Sequence, residues 1–456
     1  MSTFTISGLT SGIDTDSLIR QLLQIERIPL QKLESKKSDA EQKQAAYNDL
    51  ASKIEALESA ADKLRFSSGF RDKTTTVSDE TILTATPGSS ASTGSMSLVV
   101  SQLALVHRLI SGAGLTGTSA AVASGTGQFT FKVGESGTEY TVDVDADMTL
   151  EEFKNAINSL DADVTAAILN EGTGETPYRL ILSTEETGAD QKIIVTRDDT
   201  NLGFPVNDTS LSSDLHIQKP QDVRIEIGTL SVYRSSNTVT DLIPGVTLFL
   251  QKADPTKTVT VTVDQDLETV RSKIEDLIEA YNDVVNFVNA RSKYDTKNHK
   301  GDPLWGESTV RSLLRRLGQV VSSRVEGLPE DMRSLAQIGV STQKDGTLSL
   351  DTAKLQKALE DNLDSVMDLF LKGASSSGVA EQFYQLAYGA TRTGDGEISV
   401  RTDGLQNQIR SLDSKIRDQE AYLERYETRL QAQFAALESL LASFQSQDQY
   451  FLQRLS

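Results

Sequence analysis

Apolar residues recur at alternating steps of three and four along both ends of this chain. Toward the C-terminus the step carries Leu405, Ile409, Leu412, Ile416, Leu423, Tyr426, Leu430, Leu437, Leu440 and Phe444, interrupted by Gln419 and Gln433. Apolar positions held at that period keep one stripe turned toward a partner helix, which is the condition for a coiled coil. Toward the N-terminus the same step takes Leu33, Ala40, Tyr47, Leu50, Ile54, Leu57, Ala61 and Leu64, broken by Lys36 and Lys43. One such stripe could belong to an ordinary amphipathic helix packed on a globular core. Two of them at opposite ends are expected to meet. Leu50, Ile54, Leu57 and Leu64, together with the whole C-terminal stripe, are therefore the candidate assembly seam.

Ahead of the first stripe, residues 1–17 are rich in Gly, Ser and Thr. Asp14 and Asp16 then offer an N-cap and a first-turn acid to a short helix with Leu18, Leu22 and Ile25, which Pro29 should end or kink. The texture changes after Ser67-Ser68-Gly69. From Thr74 to Val263 short runs rich in Val, Ile, Thr and Tyr alternate with Gly-containing turns, as strands require; Ser97 to Val100, Phe129 to Val133, Tyr140 to Val144, Arg179 to Leu182 and Thr258 to Val263 are examples. One helix interrupts them, with Leu150, Phe153, Ile157 and Leu160 at helical spacing, Thr149 as N-cap and Glu152 in the first turn. The Gly/Ser/Ala stretch from Ser111 to Gly127 reads as a loop or hinge between two β subdomains.

Helical spacing returns with Leu267, Val270, Ile274, Leu277, Tyr281, Val284 and Val288, and again with Val310, Leu313, Leu317 and Val320. Asp345-Gly346 between Val340 and Leu348 predicts a two-residue type I′ hairpin, and Asp351 a helix N-cap. Ser375 to Gly378 reads as a short link, and Gly394-Asp395-Gly396 as the entry to a small extended piece before the last helix. The fold class is thus α+β and multidomain: a discontinuous helical or coiled-coil leg domain from both chain ends, with β-rich head subdomains inserted. The expected division is a terminal segment 1–40 with 430–456, a helical leg of 41–73 and 264–429, one head subdomain of 74–112 and 216–263, and a second of 113–215 with one helix.

At 456 residues the chain has room for about three domains of ~150 residues each. Its formal net charge of −20 would repel nucleic acid and anionic membrane surfaces. Cysteine is absent, which excludes disulfides and thiolate metal sites. Met1 to Asp16 lacks the basic region and apolar stretch of a Sec signal peptide, and no run of ~18 apolar residues occurs, so a membrane span is not expected.

Few residues form a pattern that points to chemistry. Asp143, Asp145 and Asp147 alternate and could share a strand face for calcium, although a solvated face requires no ligand. His107, His216 and His299 are far apart and in no ligand-spaced motif, and so read as surface or structural residues. Gly172-Thr173-Gly174 lacks the lysine of a phosphate loop. No catalytic residue, metal ligand or cofactor site is nominated, and an enzyme is not expected.

Several strings, in order, resemble the family of flagellar filament cap proteins, also called hook-associated protein 2. Gly8-Leu9-Thr10-Ser11-Gly12-Ile13-Asp14-Thr15-Asp16-Ser17-Leu18, with Glu26-Arg27 and Pro29, resembles its amino-terminal signature. Val100-Ser101-Gln102-Leu103-Ala104, and Ser235-Ser236-Asn237-Thr238 through Ile243-Pro244-Gly245-Val246-Thr247, are similar to strands of its β insertion. Asp147-Met148-Thr149-Leu150 through Arg179-Leu180-Ile181-Leu182 resembles a module shared with hook and flagellin-related proteins. Ala280-Tyr281-Asn282, Ile338-Gly339-Val340 and the Leu430 to Leu455 helix extend the resemblance over nearly the whole chain.

The resemblance implies a structural cap at the distal, extracellular end of the bacterial flagellar filament, a ring-like homo-oligomer that holds flagellin while it folds and inserts and prevents monomer loss. It further implies export through the flagellar type III apparatus with an export chaperone, and a role in cell adhesion with host mucin as partner. Polar seam positions Lys36, Lys43, Gln419 and Gln433 suit helices that order late, because such residues weaken a coiled coil while setting its register. A hook–filament junction protein and a carbohydrate- or mucin-binding adhesin are the alternatives.

Overall fold

The computed structural model describes residues 14–371 and 377–455. Gly8 to Ile13 of the amino-terminal string, and Ser375 and Ser376 of the expected link, lie outside the described residues. The chain divides into two compact units, one formed by the residues up to Phe70 and from Leu267 onward, the other by Arg71–Asp266.

The helical unit begins with α1 (Thr15–Glu26) and α2 (Ile28–Asp62). Asp14 caps α1, its carboxylate accepting the Ser17 amide at 3.0 Å. Pro29 sits in the first turn of α2, where a backbone N–H has no intrahelical acceptor to lose. The apolar face of α1 is not the one its Leu18, Leu22 and Ile25 pattern predicts. Ile19 and Leu23 are buried, and those three residues are exposed.

In chain order the β-rich unit, Arg71–Asp266, interrupts the helical unit, and all its strand pairs are antiparallel. A five-stranded sheet takes Lys73–Val77, Val259–Gln265, Gly94–Gln102, Val223–Ile227 and Leu230–Arg234 in that order. It shares a core with a three-stranded sheet of Thr238–Ile243, Val246–Leu250 and Leu83–Pro87. Val259, Val261 and Val263 are buried with half-exposed threonines between them, the alternation expected of a strand with one wet face.

A second core gathers two three-stranded sheets and helix α3 (Leu150–Asn158) around Phe129, Phe131 and Phe153. Thr149 and Glu152 form a capping box at the start of α3. The glycine-rich stretch 111–127 is a loop, as its composition predicts, but not a hinge. Val122 and Ala123 are buried in this core, and a Cβ on Gly114 would lie 2.0 Å from the Thr176 carbonyl oxygen, so this backbone is packed tightly and needs glycine. The chain instead crosses between the cores at 103–108 and 216–222, where Leu105 bridges to Gln221 and Arg108 to Gln218.

After Asp266 the helical unit resumes with α4 (Leu267–Arg291), α5 (Ser308–Ser322), α6 (Thr352–Phe370), α7 (Val379–Thr391) and α8 (Glu397–Leu455). Asp351 caps α6 by accepting the Lys354 amide. The hairpin of Val340–Thr342 and Leu348–Leu350 closes with Thr342 opposite Leu348, so its loop is longer than two residues. Only Gly346 of the Asp345-Gly346 pair has positive φ, while the Asp345 carboxylate accepts the Thr347 amide and hydroxyl to make the turn. No extended piece follows Gly396. Ile398 is buried in the helical core and α8 starts at once, with the Gly396 amide donating to the Arg392 carbonyl.

Candidate functional site

The two apolar stripes do pack together, over part of their length. Leu50, Ile54, Leu57 and Leu64 are fully buried in the main helical core with Leu405, which also takes in α4, α5, α6 and α7. Ile409 and Leu412 of α8 close on Ala40, with Leu33 beside them. Further along, Leu430 packs against Ile19 and Leu23 of α1, with Tyr426 and Phe434 at the margin. Leu423 is buried and Ile416 half-buried.

The stripe then runs out of cover. Leu437, Leu440 and Phe444 are 46, 57 and 56 % exposed. Thr15 donates its hydroxyl to Glu438 at 3.2 Å, so α1 reaches this stretch of α8 without shielding those three side chains. Exposed apolar side chains on both helices, Leu18, Leu22 and Ile25 on α1 with the three on α8, leave surface that a partner could bury.

Polar residues along the seam do more than interrupt it. Lys36 is exposed and plays no part in the packing; the neighbouring Lys37 reaches Asp413 of α8 at 2.6 Å, and that hydrogen bond raises its pKa above the ordinary lysine value. Gln44 donates to Gln406 at 2.8 Å. Lys43 turns to Glu307, just ahead of α5, at 2.9 Å. Glu307 also accepts the Tyr47 hydroxyl at 2.9 Å and pairs with Arg401 of α8 at 3.0 Å. One carboxylate, 11 % exposed, thus ties together α2, the start of α5 and α8.

The electrostatics follow from that geometry. Burial works to raise the Glu307 carboxyl, but the hydrogen bonds from Lys43 and Tyr47 and the charges of Lys43 and Arg401 hold it below the ordinary glutamate value. Burial, and then the hydrogen bond to Glu307, push the Tyr47 phenol up to about 12. Sequence reasoning missed Glu307, because its partners on α2 stand 264 and 260 positions away. Lys43 breaking an apolar stripe was the available signal.

In the β-rich unit the three alternating aspartates do not converge on a ligand site. Asp143 accepts from Gln128, whereas Asp145 accepts the amides of Asp147 and Met148 in a turn. Among the described residues no group of three or more His, Cys, Asp or Glu is placed to hold a metal ion. His299 is exposed, while His107 and His216 do meet, with ring nitrogens 2.8 Å apart.

Comparison with known proteins follows the same outline. A family model described as flagellar hook-associated protein 2 N-terminus matches residues 11–107, and one described as flagellar hook-associated protein 2 C-terminus matches 220–446. The chain is 30 % identical to the A-type flagellar hook-associated protein 2 of Pseudomonas aeruginosa, over 99 % of this chain and 97 % of that one. It is 27 % identical to the flagellar hook-associated protein 2 of Escherichia coli strain K12, over 100 % and 98 %. The crystal structure of the D1-D2-D3 domains of the flagellar cap protein FliD from Escherichia coli superposes with a TM-score of 0.63 at 27 % identity, covering 79 % of this chain and 99 % of that one.

Proposed function

The chain belongs to the flagellar hook-associated protein 2 family, a family of structural flagellar cap proteins and not enzymes, and from that premise we propose how this member caps a filament. Several copies assemble at the distal, extracellular tip of a bacterial flagellum. The helical unit serves as the leg that engages flagellin, with 1–40 and 430–456 as its terminal part. The β-rich unit serves as a head in two subdomains, the second beginning at the crossing near 108. Flagellin arriving at the tip folds and inserts beneath this assembly, and monomer loss is prevented.

One observation supports the leg assignment most directly. The seam is closed within the chain from Leu405 to Leu430 and bare at Leu437, Leu440 and Phe444, beside the exposed Leu18, Leu22 and Ile25. A stripe half satisfied by its own chain is built to be completed by another, and the apolar area left open is what an assembly partner would remove from water. Flagellin and a second copy are the partners proposed for it. The flagellar type III export apparatus and an export chaperone are proposed partners of the chain before it folds, and host mucin of the head.

Electron microscopy of the purified protein, with addition to a cap-deficient strain, tests this reading. Closed rings or plates and restored filament growth are expected. Protein that stays monomeric and never restores growth overturns it, and labelling at the filament base instead of the tip favours the junction reading. A glycan and mucin array probed with the full chain reads the adhesive role separately.

A further inference from the structure

His107 and His216 lie on the two chain segments that cross between the β cores, and each uses both ring nitrogens. The Ile193 amide donates to His107 Nδ1 at 2.7 Å, which leaves the proton of the neutral ring on Nε2. That nitrogen faces His216 Nδ1 at 2.8 Å, and His216 Nε2 faces the Asp208 carboxylate at 3.2 Å. The only arrangement of protons that satisfies every contact runs one way: Ile193 N–H to His107, His107 Nε2–H to His216, His216 Nε2–H to Asp208. The rings are stacked and both residues are buried.

An added proton has no place in this chain. On His107 Nδ1 it would displace the Ile193 amide; on His216 Nδ1 it would confront the His107 N–H. Either way a charge would be created where water is excluded. Four elements pack around the pair. The strand Tyr178–Thr184 presents the neutral Thr184 hydroxyl, which accepts the His107 amide, and the strand Ile193–Asp198 presents only the Ile193 amide. The loop after Asn207 presents Asp208, kept ionised far below the ordinary aspartate value by the Ser212 and Ser213 amides. The crossing itself presents Lys219, whose charge opposes protonation of His216.

Besides this chain the crossing is held by the backbone bonds of Leu105 with Gln221 and Gly188, of Arg108 with Gln218, of His107 with Thr184 and of Ile110 with Leu215, by the Asn237 side chain on Ala104, by two glutamine side chains, and by the contacts of Thr187 with Ser235 and Ala189 with Asp222. We propose that the His107–His216–Asp208 chain is an acid-sensitive latch, which ties the crossing to the second β core while neutral and releases it when protonated, so that the two β cores of the head become hinged in acid.

Burial, with the neighbouring His216, lowers His107 from 6.5 to about 4, and burial lowers His216 as well. The opened crossing therefore takes up protons that the closed one refuses, and opening becomes easier as pH falls through 6.5. For His107 alone the gain between about pH 7.5 and about pH 5 is on the order of twentyfold.

Hydrogen exchange followed by mass spectrometry on the full chain at those two pH values, corrected for intrinsic rates, tests the latch. Peptides covering 104–110, 190–196 and 214–222 are expected to lose protection by about twentyfold in acid, while those covering 94–102 and 259–265 keep theirs. Unchanged protection, or an equal loss everywhere, overturns the proposal. His107→Gln, which cannot be charged, is expected to flatten the pH response. Should that variant fail to fold, imidazole NMR of the unmodified chain decides the matter: His107 is expected to stay neutral down to about pH 5, and a His107 that takes up its proton near 6.5 overturns the latch.

Discussion

The helical and β-rich units each draw distant segments together through a polar cluster, and they do so with opposite chemistry. In the helical unit Glu307 gathers Lys43, Tyr47 and Arg401, a charged cluster with water at its edge. In the β-rich unit His107 and His216 are neutral, fully enclosed and joined in a chain of single hydrogen bonds. A cluster that is already ionised resists acid until its carboxylate takes up a proton. A cluster that must stay neutral fails earlier, because burial alone disfavours the charged form.

The largest expected effect comes from removing the centre of the charged cluster. Glu307→Ala leaves Lys43 and Arg401 facing each other without their carboxylate, and should lower stability in urea, read by circular dichroism of the helices, by about 3 kcal/mol. A loss under about 1 kcal/mol would show that the cluster sets register without adding stability.

Acid should separate the two units next. His107 has a lowered pKa in the folded state, so its contribution is complete above 6.5 and falls away as pH drops from 6.5 toward about 4, costing the β-rich unit roughly 2 to 3 kcal/mol. Glu307 is also lowered, but from 4.5, so its contribution stands above that value and is lost only as pH falls through its folded pKa. Calorimetry across pH 7 to 4 should therefore show the β-rich transition moving down first. Simultaneous loss would defeat the comparison.

Tyr47→Phe is a smaller cut. It removes one hydrogen bond to Glu307 and keeps the buried ring, for about 1 kcal/mol. The smallest change in stability, under about 0.5 kcal/mol, is expected for Leu440→Ser, at an exposed position of α8. That same variant should give the greatest loss of filament growth when added to cap-deficient cells, since it alters surface the chain leaves open. Full growth with Leu440→Ser would remove the seam's bare end from the proposed partner surface.

Local sequence signals were read well because their physics is local. Asp14, Thr149 and Asp351 cap the helices their positions predict, since an N-cap needs only the backbone three residues ahead. The apolar period located α8, the Leu50 to Ala61 face of α2, and Leu64 just beyond it. Where a neighbour decides, the reading slipped. The Leu18, Leu22 and Ile25 face of α1 looked like its buried side, yet Leu430 meets Ile19 and Leu23 instead. The stretch 111–127 reads as a loop or hinge, and it is a loop, but one packed into a core, with Gly112, Gly114 and Gly127 in close contact with their neighbours.

By itself, then, the sequence determined the helical ends, the β texture between them, and the family strings that run through both. Periodicity and capping act over a few residues and survive in a linear string. Tertiary structure alone decided that Lys43 has a carboxylate to answer it, that two histidines 109 positions apart share a proton order, and that Leu437, Leu440 and Phe444 of α8 stay bare. Each depends on which distant segment arrives, and the hydrophobic drive that brings segments together is non-directional, so it leaves no mark of the partner in either one.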